Sequence, residues 1–465
     1  MSRAVDLLIV GAGPAGMSAA LRACRLGLSV LVVDDQPAPG GQIWRAVETR
    51  ACTRTGQLLG EEYTAGLQLA RAFHESGALY EPRTQVWQIE PGWQVFMSRD
   101  QQAQCVQAAN VVLATGAQER PAPFPGWTLP GVLPVGAAQI LLKTAREIPK
   151  GPVWVAGSGP LVLLYMVQLL RAGGTIAGWL DTAPSGGWSR ALPHLAAAMR
   201  AWKDILKGVR WMRELRRAGF PIVRGVTQLR GEGSDRLEHV VYRTADGQSQ
   251  RVAVDLLLVH EGVVPSIHMT QALGCAHEWR ADQRCLAPSV DEWGQTSKPG
   301  IFVAGDGAGI GGARAACTRG ELAAVGAALR AGKLNEDEAR RIASPLRRTL
   351  ADQLSIRPML DALYPPRAEL FEPADETVVC RCEELTAGQI RAAARIGQPG
   401  PNQIKAFTRA GMGPCQGRQC AYTVAHILAG AHGKGVEQIG FYRIRPPLKP
   451  LTLGELASLD TGGDT

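Results

Sequence analysis

Gly11-Ala12-Gly13-Pro14-Ala15-Gly16 follows the apolar run Asp6–Val10 and opens a stretch of small and apolar residues at helical spacing, Gly16–Leu26. A β-branched run, Leu28–Val33, comes next and ends on Asp34. Strand, glycine turn, helix and strand in that order predict a dinucleotide-binding βαβ unit. Each glycine has a separate task. Gly11 makes the tight turn, Gly13 lets backbone approach a pyrophosphate, and Gly16 lets helix and strand pack closely. Pro14 and Ala15 belong to the same candidate site, and the N-terminus of the following helix directs N–H donors and a positive dipole end at the phosphates. Asp34 lies 23 residues after Gly11, placed to accept hydrogen bonds from an adenosine ribose. Asp35 is the neighbouring second choice, because Asp34 directly follows Val33.

Outward from this unit, Val106–Ala114 reads as a strand ending in Ala114-Thr115-Gly116. Val153–Leu180 repeats the strand–glycine–helix–strand theme, an internal duplication. Its motif, Gly157-Ser158-Gly159-Pro160-Leu161-Val162, carries valine where a third small residue belongs. The following strand ends at Asp181 with no arginine cluster for a 2′-phosphate. These departures argue against NADPH and leave two readings open, an NADH site or a nucleotide domain kept for architecture. Asp255–His260 and Ile301–Ala304 are short buried strands, the second leading into Gly305-Asp306-Gly307 and an Ala-rich helix. The expected division is 1–125 with 262–332, an inserted 126–261, a connector 333–376, a cysteine module 377–430 and an extended tail 431–465. Asp460–Thr465 are expected to fray.

The chain has 465 residues, enough for two or three domains, with 46% hydrophobic and 20% charged residues. Its net charge of +8 comes from scattered arginines without interleaved aromatics. The expectation is a solvated, mildly basic surface and no nucleic-acid partner. Residues 151–170 lack charge, but Gly157, Ser158, Gly159 and Pro160 divide them into strand, turn and helix, not a membrane span. Ten cysteines without a signal peptide at the start imply a reducing, cytoplasmic compartment and metal or redox roles.

Pro39-Gly40-Gly41-Gln42, Ala114-Thr115-Gly116-Ala117 and Phe302-Val303-Ala304-Gly305-Asp306 resemble signatures of two-dinucleotide-domain flavoproteins related to thioredoxin reductase. The resemblance covers about residues 5–330. It implies an α/β fold with two Rossmann-like domains, the FAD domain discontinuous. Asp306, in its Gly305-Asp306 motif, would meet the ribityl chain of FAD. Gly40, Gly41 and Gln42 would lie beside the flavin, and Thr115 and Gly116 at the passage between domains. No closely spaced cysteine pair accompanies them, which argues against thiol–disulfide reduction. Cys317 reads as a packed helix cysteine and His260 as a satisfied strand-end histidine.

Cys380-Arg381-Cys382 and Cys415-Gln416-Gly417-Arg418-Gln419-Cys420 place four thiols in one short module. Zinc prefers CxxC knuckles, and CxC is cramped for it. The arrangement resembles the bacterioferritin-associated-ferredoxin-like [2Fe–2S] module, except that four residues instead of two separate its last cysteines. A flavoprotein followed by this module resembles the large α chain of heteromeric amine dehydrogenases. That group contains opine oxidases, D-hydroxyproline and L-proline dehydrogenases, hydrogen cyanide synthase and part of the sarcosine oxidase α chain. Asp35–Ile43, Cys380–Glu384 and Thr408–Gly417 carry the likeness. It implies FAD and one [2Fe–2S] cluster, with two partners: an amine-oxidising β subunit that holds its own FAD, and a small ferredoxin-like γ subunit. It also implies a quinone or respiratory acceptor, with contact to the inner face of a membrane through the complex. No catalytic acid or base is expected here. Two other classes remain, a stand-alone NAD(P)H-dependent reductase and a scaffold whose Pro-rich tail, 441–453, drapes over a partner.

Overall fold

The computed structural model describes residues 3–459, so the end expected to fray lies outside the described residues. A parallel sheet runs Leu79–Pro82, Val30–Asp34, Arg3–Val10 and Gln102–Leu113, with Val10 opposite Leu113. The 12-residue strand Gln102–Leu113 has a divided outer edge. Its first half pairs antiparallel with Gln94–Arg99, and its second half pairs parallel with Ile301–Val303. Strand order reverses on either side of Arg3–Val10, so the crevice beyond the strand ends opens at the Gly11 turn. Helix Pro14–Arg25 packs on the Ala-rich helix Ala313–Arg330; a Cβ on Gly320 would lie 2.1 Å from the carbonyl oxygen of Ala15. Alanine and glycine surfaces this flat let helices approach without interlocking ridges, so the second helix is buried on most sides.

The second sheet is all parallel, in the order Ile222–Arg224, Ile176–Asp181, Val153–Gly157, Leu257–His260, Val132–Pro134. Residues 151–170 form strand Val153–Gly157 and helix Pro160–Arg171, and no helix among the described residues is long and apolar enough to cross a membrane. The chain passes between the two halves through Ala117–Glu119 and returns through Val263–Pro265, which pair antiparallel.

Two features differ from the expectations, the crossover and the tail, while the connector has the charged helix expected at its start. A succession of helical turns from Gly187 to Arg217 fills the crossover between Ile176–Asp181 and Ile222–Arg224. It concentrates the positive charge expected to be scattered: eight Lys and Arg against two Asp and Glu give this stretch a formal +6 of the chain's +8. The connector is packed helix, Glu336–Leu354 with an Asn335/Glu338 capping box and then Arg357–Leu363, each lying on the body of the protein. The tail is neither fully extended nor free to drape elsewhere. Thr452 and Glu455 form a capping box that starts helix Leu453–Ala457, and Tyr442, Ile444 and Leu448 are buried in the core of the cysteine module. Leu448 N–H donates to Trp87 O at 2.8 Å, and Ala103 N–H to Ser458 Oγ at 2.8 Å. The tail therefore returns to its own first domain.

Candidate functional site

The first glycine turn is shaped as a cradle. A Cβ on Gly11 would lie 2.5 Å from Ala114 O, and one on Gly16 1.8 Å from Gly11 O. Neither position admits a side chain. Gly41 approaches Gly13 so closely that its own Cβ would be 3.0 Å from Gly13 Cα, and Gly40 N–H bonds Ala12 O at 2.8 Å. The loop 39–42 thus closes over the turn, leaving backbone where a pyrophosphate would pass. On the opposite wall the carboxylate of Asp306 accepts Gly311 N–H at 2.8 Å and Gly312 N–H at 3.0 Å, ordering the entry to helix Ala313–Arg330.

Asp34 is buried, and its carboxylate accepts N–H bonds from Ala12 and from Gln36 at 2.7 Å. Burial raises its pKa against the lowering effect of these two bonds. Asp34 thereby holds the glycine turn in shape. Asp35 is the more exposed carboxylate and pairs with Lys449 of the tail at 2.6 Å. Gln42 offers its side-chain oxygen to Arg45 at 2.9 Å and its carbonyl to the Lys143 ammonium at 3.0 Å. Lys143 also bonds Ile43 O and Gln139 Oε1, and burial, with the charge of Arg45 second, pulls its pKa down to about 7. It clamps the Gln42–Ile43 loop to helix Val135–Ala145, and nothing near it in sequence marks it for that task. Cys317 packs against the first core and His260 bonds Glu119 at 2.6 Å, both within the structure and not toward an open site.

The second glycine turn is covered by the chain itself. A Cβ on Gly159, the counterpart of Gly13, would meet Cβ and Cγ of Tyr364 at 4.0 Å. Asp181 ends its strand as Asp34 does in the first unit, and its charge raises the Tyr364 pKa further after burial. Burial pushes Asp181 itself up to about 6. Tyr364 therefore lies within van der Waals range of the second glycine turn. Two residues of proline follow, then Arg367, which forms a buried ion pair with Glu261 at 2.6 Å and fixes this contact.

The four module cysteines come together as two neighbouring pairs. Cys420 beside it lowers the Cys380 pKa to about 6 and Cys380 in turn raises that of Cys420; burial, and then neighbouring Cys415, act on Cys382. A Cβ on Gly413 would strike Cys382 Cβ at 2.3 Å, so the Gly411–Gly413 turn is pressed against the thiols. Among the described residues, no group of three or more His, Cys, Asp and Glu side chains is arranged to hold a metal ion. The donor chemistry suits a soft metal; a closed ligand set is not formed. The cysteine loop docks on the interdomain passage: Gln118 Nε2 donates to Arg418 O at 3.1 Å, and His268 Nε2 bonds Gln416 O at 3.2 Å. Two residues before Gln118, the carbonyl oxygen of Gly116 lies 3.5 Å from a Cβ placed on Gly307, and Thr115 Oγ1 bonds Ser266 O at 3.3 Å. One short segment, 115–118, thus touches the Asp306 loop and the cysteine loop.

Behind this segment Arg120 is fully buried and donates to the carbonyls of Glu261, Gln283 and Arg284. His426 sits beside it against Phe371, ring centroids 4.3 Å apart, and its pKa is pushed down to about 4 by burial and by Arg284 and Arg120. The folded chain keeps His426 neutral while the unfolded chain binds a proton near pH 6.5, so stability is lost as pH falls from 6.5 towards 4. Melting temperatures measured between pH 7.5 and 4.5 are expected to fall faster for the native chain than for His426→Leu. Parallel curves would refute this.

A family profile described as pyridine nucleotide-disulphide oxidoreductase matches residues 5–332, and one described as sarcosine oxidase A3 domain matches 374–459. The opine oxidase A chain of Rhizobium meliloti is 43% identical over 98% of this chain and 87% of its own length. A hydrogen cyanide synthase subunit of Pseudomonas protegens is 32% identical over 96% of both. In fold, L-proline dehydrogenase from P. horikoshii superposes with a TM-score of 0.72 at 22% identity, over 98% of this chain and 80% of that one. The likeness thus runs along almost the whole length of the chain. The chain belongs to the pyridine nucleotide-disulphide oxidoreductase family and, within it, to the group of opine oxidase A chains and their relatives among amine- and amino-acid-oxidising enzymes.

Proposed function

We propose that this chain is the FAD- and [2Fe–2S]-containing electron-transfer subunit of a heteromeric dehydrogenase. The complex oxidises a small amine or amino acid, of the hydroxyproline, proline, opine, sarcosine or glycine class, to the imine in a partner FAD subunit. The carrying observation is segment 115–118, which touches the Asp306 loop at Gly116 and the cysteine loop at Gln118. Gly11, Gly13, Pro14, Ala15, Gly16, Gly41 and Gln42 would hold the dinucleotide, with Asp34, and Asp35 as the second choice, at the adenosine ribose. Gly305, Asp306, Thr115 and Gly116 would line its flavin half, and Cys380, Cys382, Cys415 and Cys420 would ligate the cluster. When bound, the flavin supplies two-electron storage and the cluster one-electron transfer, a combination suited to a quinone or respiratory acceptor. Contact with the inner face of a membrane and a small ferredoxin-like subunit belong to the same reading.

The cofactor released by denaturing the purified chain is expected to be FAD, and the reduced protein to give a [2Fe–2S] EPR signal with two irons per chain. Release of NAD or no nucleotide would overturn the first part; absence of iron and of the signal would overturn the second. The competing stand-alone NAD(P)H reductase needs an open second cleft, and Tyr364 packs beside its glycine turn. Mixing with NADH in a stopped-flow instrument should leave the flavin oxidised; bleaching within seconds would favour that competitor.

A further inference from the structure

The helical crossover Gly187–Arg217 has two faces. One is used: Ala191 and Ala198 pack with Met359 and Leu363 of the connector, and Leu215 joins the main core. The other is bare. Trp188, Leu192 and Leu195 are exposed on its first stretch, and Met199, Trp202, Leu206 and Val209 continue the series. Trp188 and Leu192 are 74% and 67% exposed, values that place nearly whole side chains in water. The gaps between successive members are four, three, four, three, four and three residues, close to the helical repeat, along the short helices Gly187–Ala191, Leu195–Ala198 and Trp202–Arg217 and the tight turns that join them. A contiguous apolar stripe of this kind marks an interaction surface, whereas single exposed leucines do not.

Charge selects the occupant. Arg190, Lys203, Arg210, Arg213, Arg216 and Arg217 are exposed, and none has a carboxylate within 4.0 Å among the described residues. The two acids of the crossover are already engaged, Asp204 by Lys207 and Arg314, and Glu214 by Arg171. What remains outward is six cations bordering a stripe with a tryptophan near its start and another past its middle. A nucleic-acid backbone would use the cations but not the stripe. Apolar side chains with tryptophan on one face and Lys and Arg beside them are the composition of a helix lying in a lipid interface, where anionic headgroups meet the cations.

We propose that Gly187–Arg217 docks this chain directly on an anionic phospholipid surface, its Trp188–Val209 stripe entering the headgroup–acyl boundary. The contact is the chain's own and does not depend on a partner protein. The full-length chain should sediment with vesicles of equimolar phosphatidylglycerol and phosphatidylcholine about tenfold more tightly than with phosphatidylcholine alone, with a blue shift of tryptophan emission. Trp202→Glu/Leu206→Glu should lower that affinity at least about tenfold, since both positions are solvent-exposed and melting temperature and flavin content stay unchanged. Lys203→Glu/Arg210→Glu should lower it too, and raised salt should weaken the native chain. Failure of the native chain to bind the anionic vesicles, or equal binding by both variants, would overturn the proposal. So would a Trp202→Glu/Leu206→Glu chain that binds vesicles normally but loses self-association or a protein partner on size exclusion, because the stripe would then be a protein interface.

Discussion

Gly16→Val is expected to yield no soluble, flavin-loaded protein, whereas Gly13→Ala should fold and lose flavin. The two positions differ in what a Cβ meets. At Gly16 it would lie 1.8 Å from Gly11 O, a backbone atom held by the Gly11 N–H to Val33 O bond of 2.8 Å and unable to move without unseating the turn. Overpacking of that kind costs about 3 kcal/mol or more, a large fraction of the stability of a domain. At Gly13 the nearest atom is Gly41 Cα at 3.7 Å, an ordinary contact, so the methyl is harmless to the fold and projects into the space kept for pyrophosphate. Soluble yield, melting temperature and the ratio of flavin to protein absorbance separate the cases. A Gly13→Ala chain with full flavin would mean that the cradle does not bind where its shape directs.

The second large effect is expected at Arg367. Arg367→Met should destabilise the chain by about 3–5 kcal/mol, because Glu261 would be left buried without its cation. Glu261 and Arg367 side chains are 3% and 5% exposed, so water cannot replace the lost partner. Removing both charges with Arg367→Met/Glu261→Leu should recover most of the loss, since a buried pair and a packed apolar pair are often near equal. Urea denaturation of the three chains measures it. If the double variant is as unstable as the single one, the loss comes from Arg367's bonds to Thr227 O and Glu369.

What can be read from sequence is what lies within a few residues. Gly11–Gly16 is legible because turn, dipole and packing act on consecutive positions, and the cradle has the shape that spacing predicts. Asp34 is legible in place, directly after Val33, whereas the Ala12 and Gln36 N–H groups that its carboxylate accepts are fixed by the fold of the loop. Tyr364 reads only as part of a proline-rich connector. Its contact with Gly159 spans 205 positions, and no local pattern foretells which residue a connector lays beside a glycine turn. Lys143 is opaque for the same reason, one lysine on a helix whose burial depends on a loop a hundred residues earlier. The crossover 187–217 escapes a reading of the sequence because its arginines, taken singly, look like an ordinary solvated surface.

The divided outer edge of Gln102–Leu113 has a consequence for synthesis. Its half from Val111 to Leu113 stays open until Ile301–Val303 has left the ribosome, about two hundred residues later. During that interval a nascent chain displays a short row of unpaired backbone groups flanked by valines, the kind of edge that recruits other strands. The intervening segment has its own five-stranded sheet and brings the closing strand back to this edge. A duplicated domain whose glycine turn is packed by its own tyrosine would then still be worth keeping, as a chaperone in cis for the half that holds the cofactor.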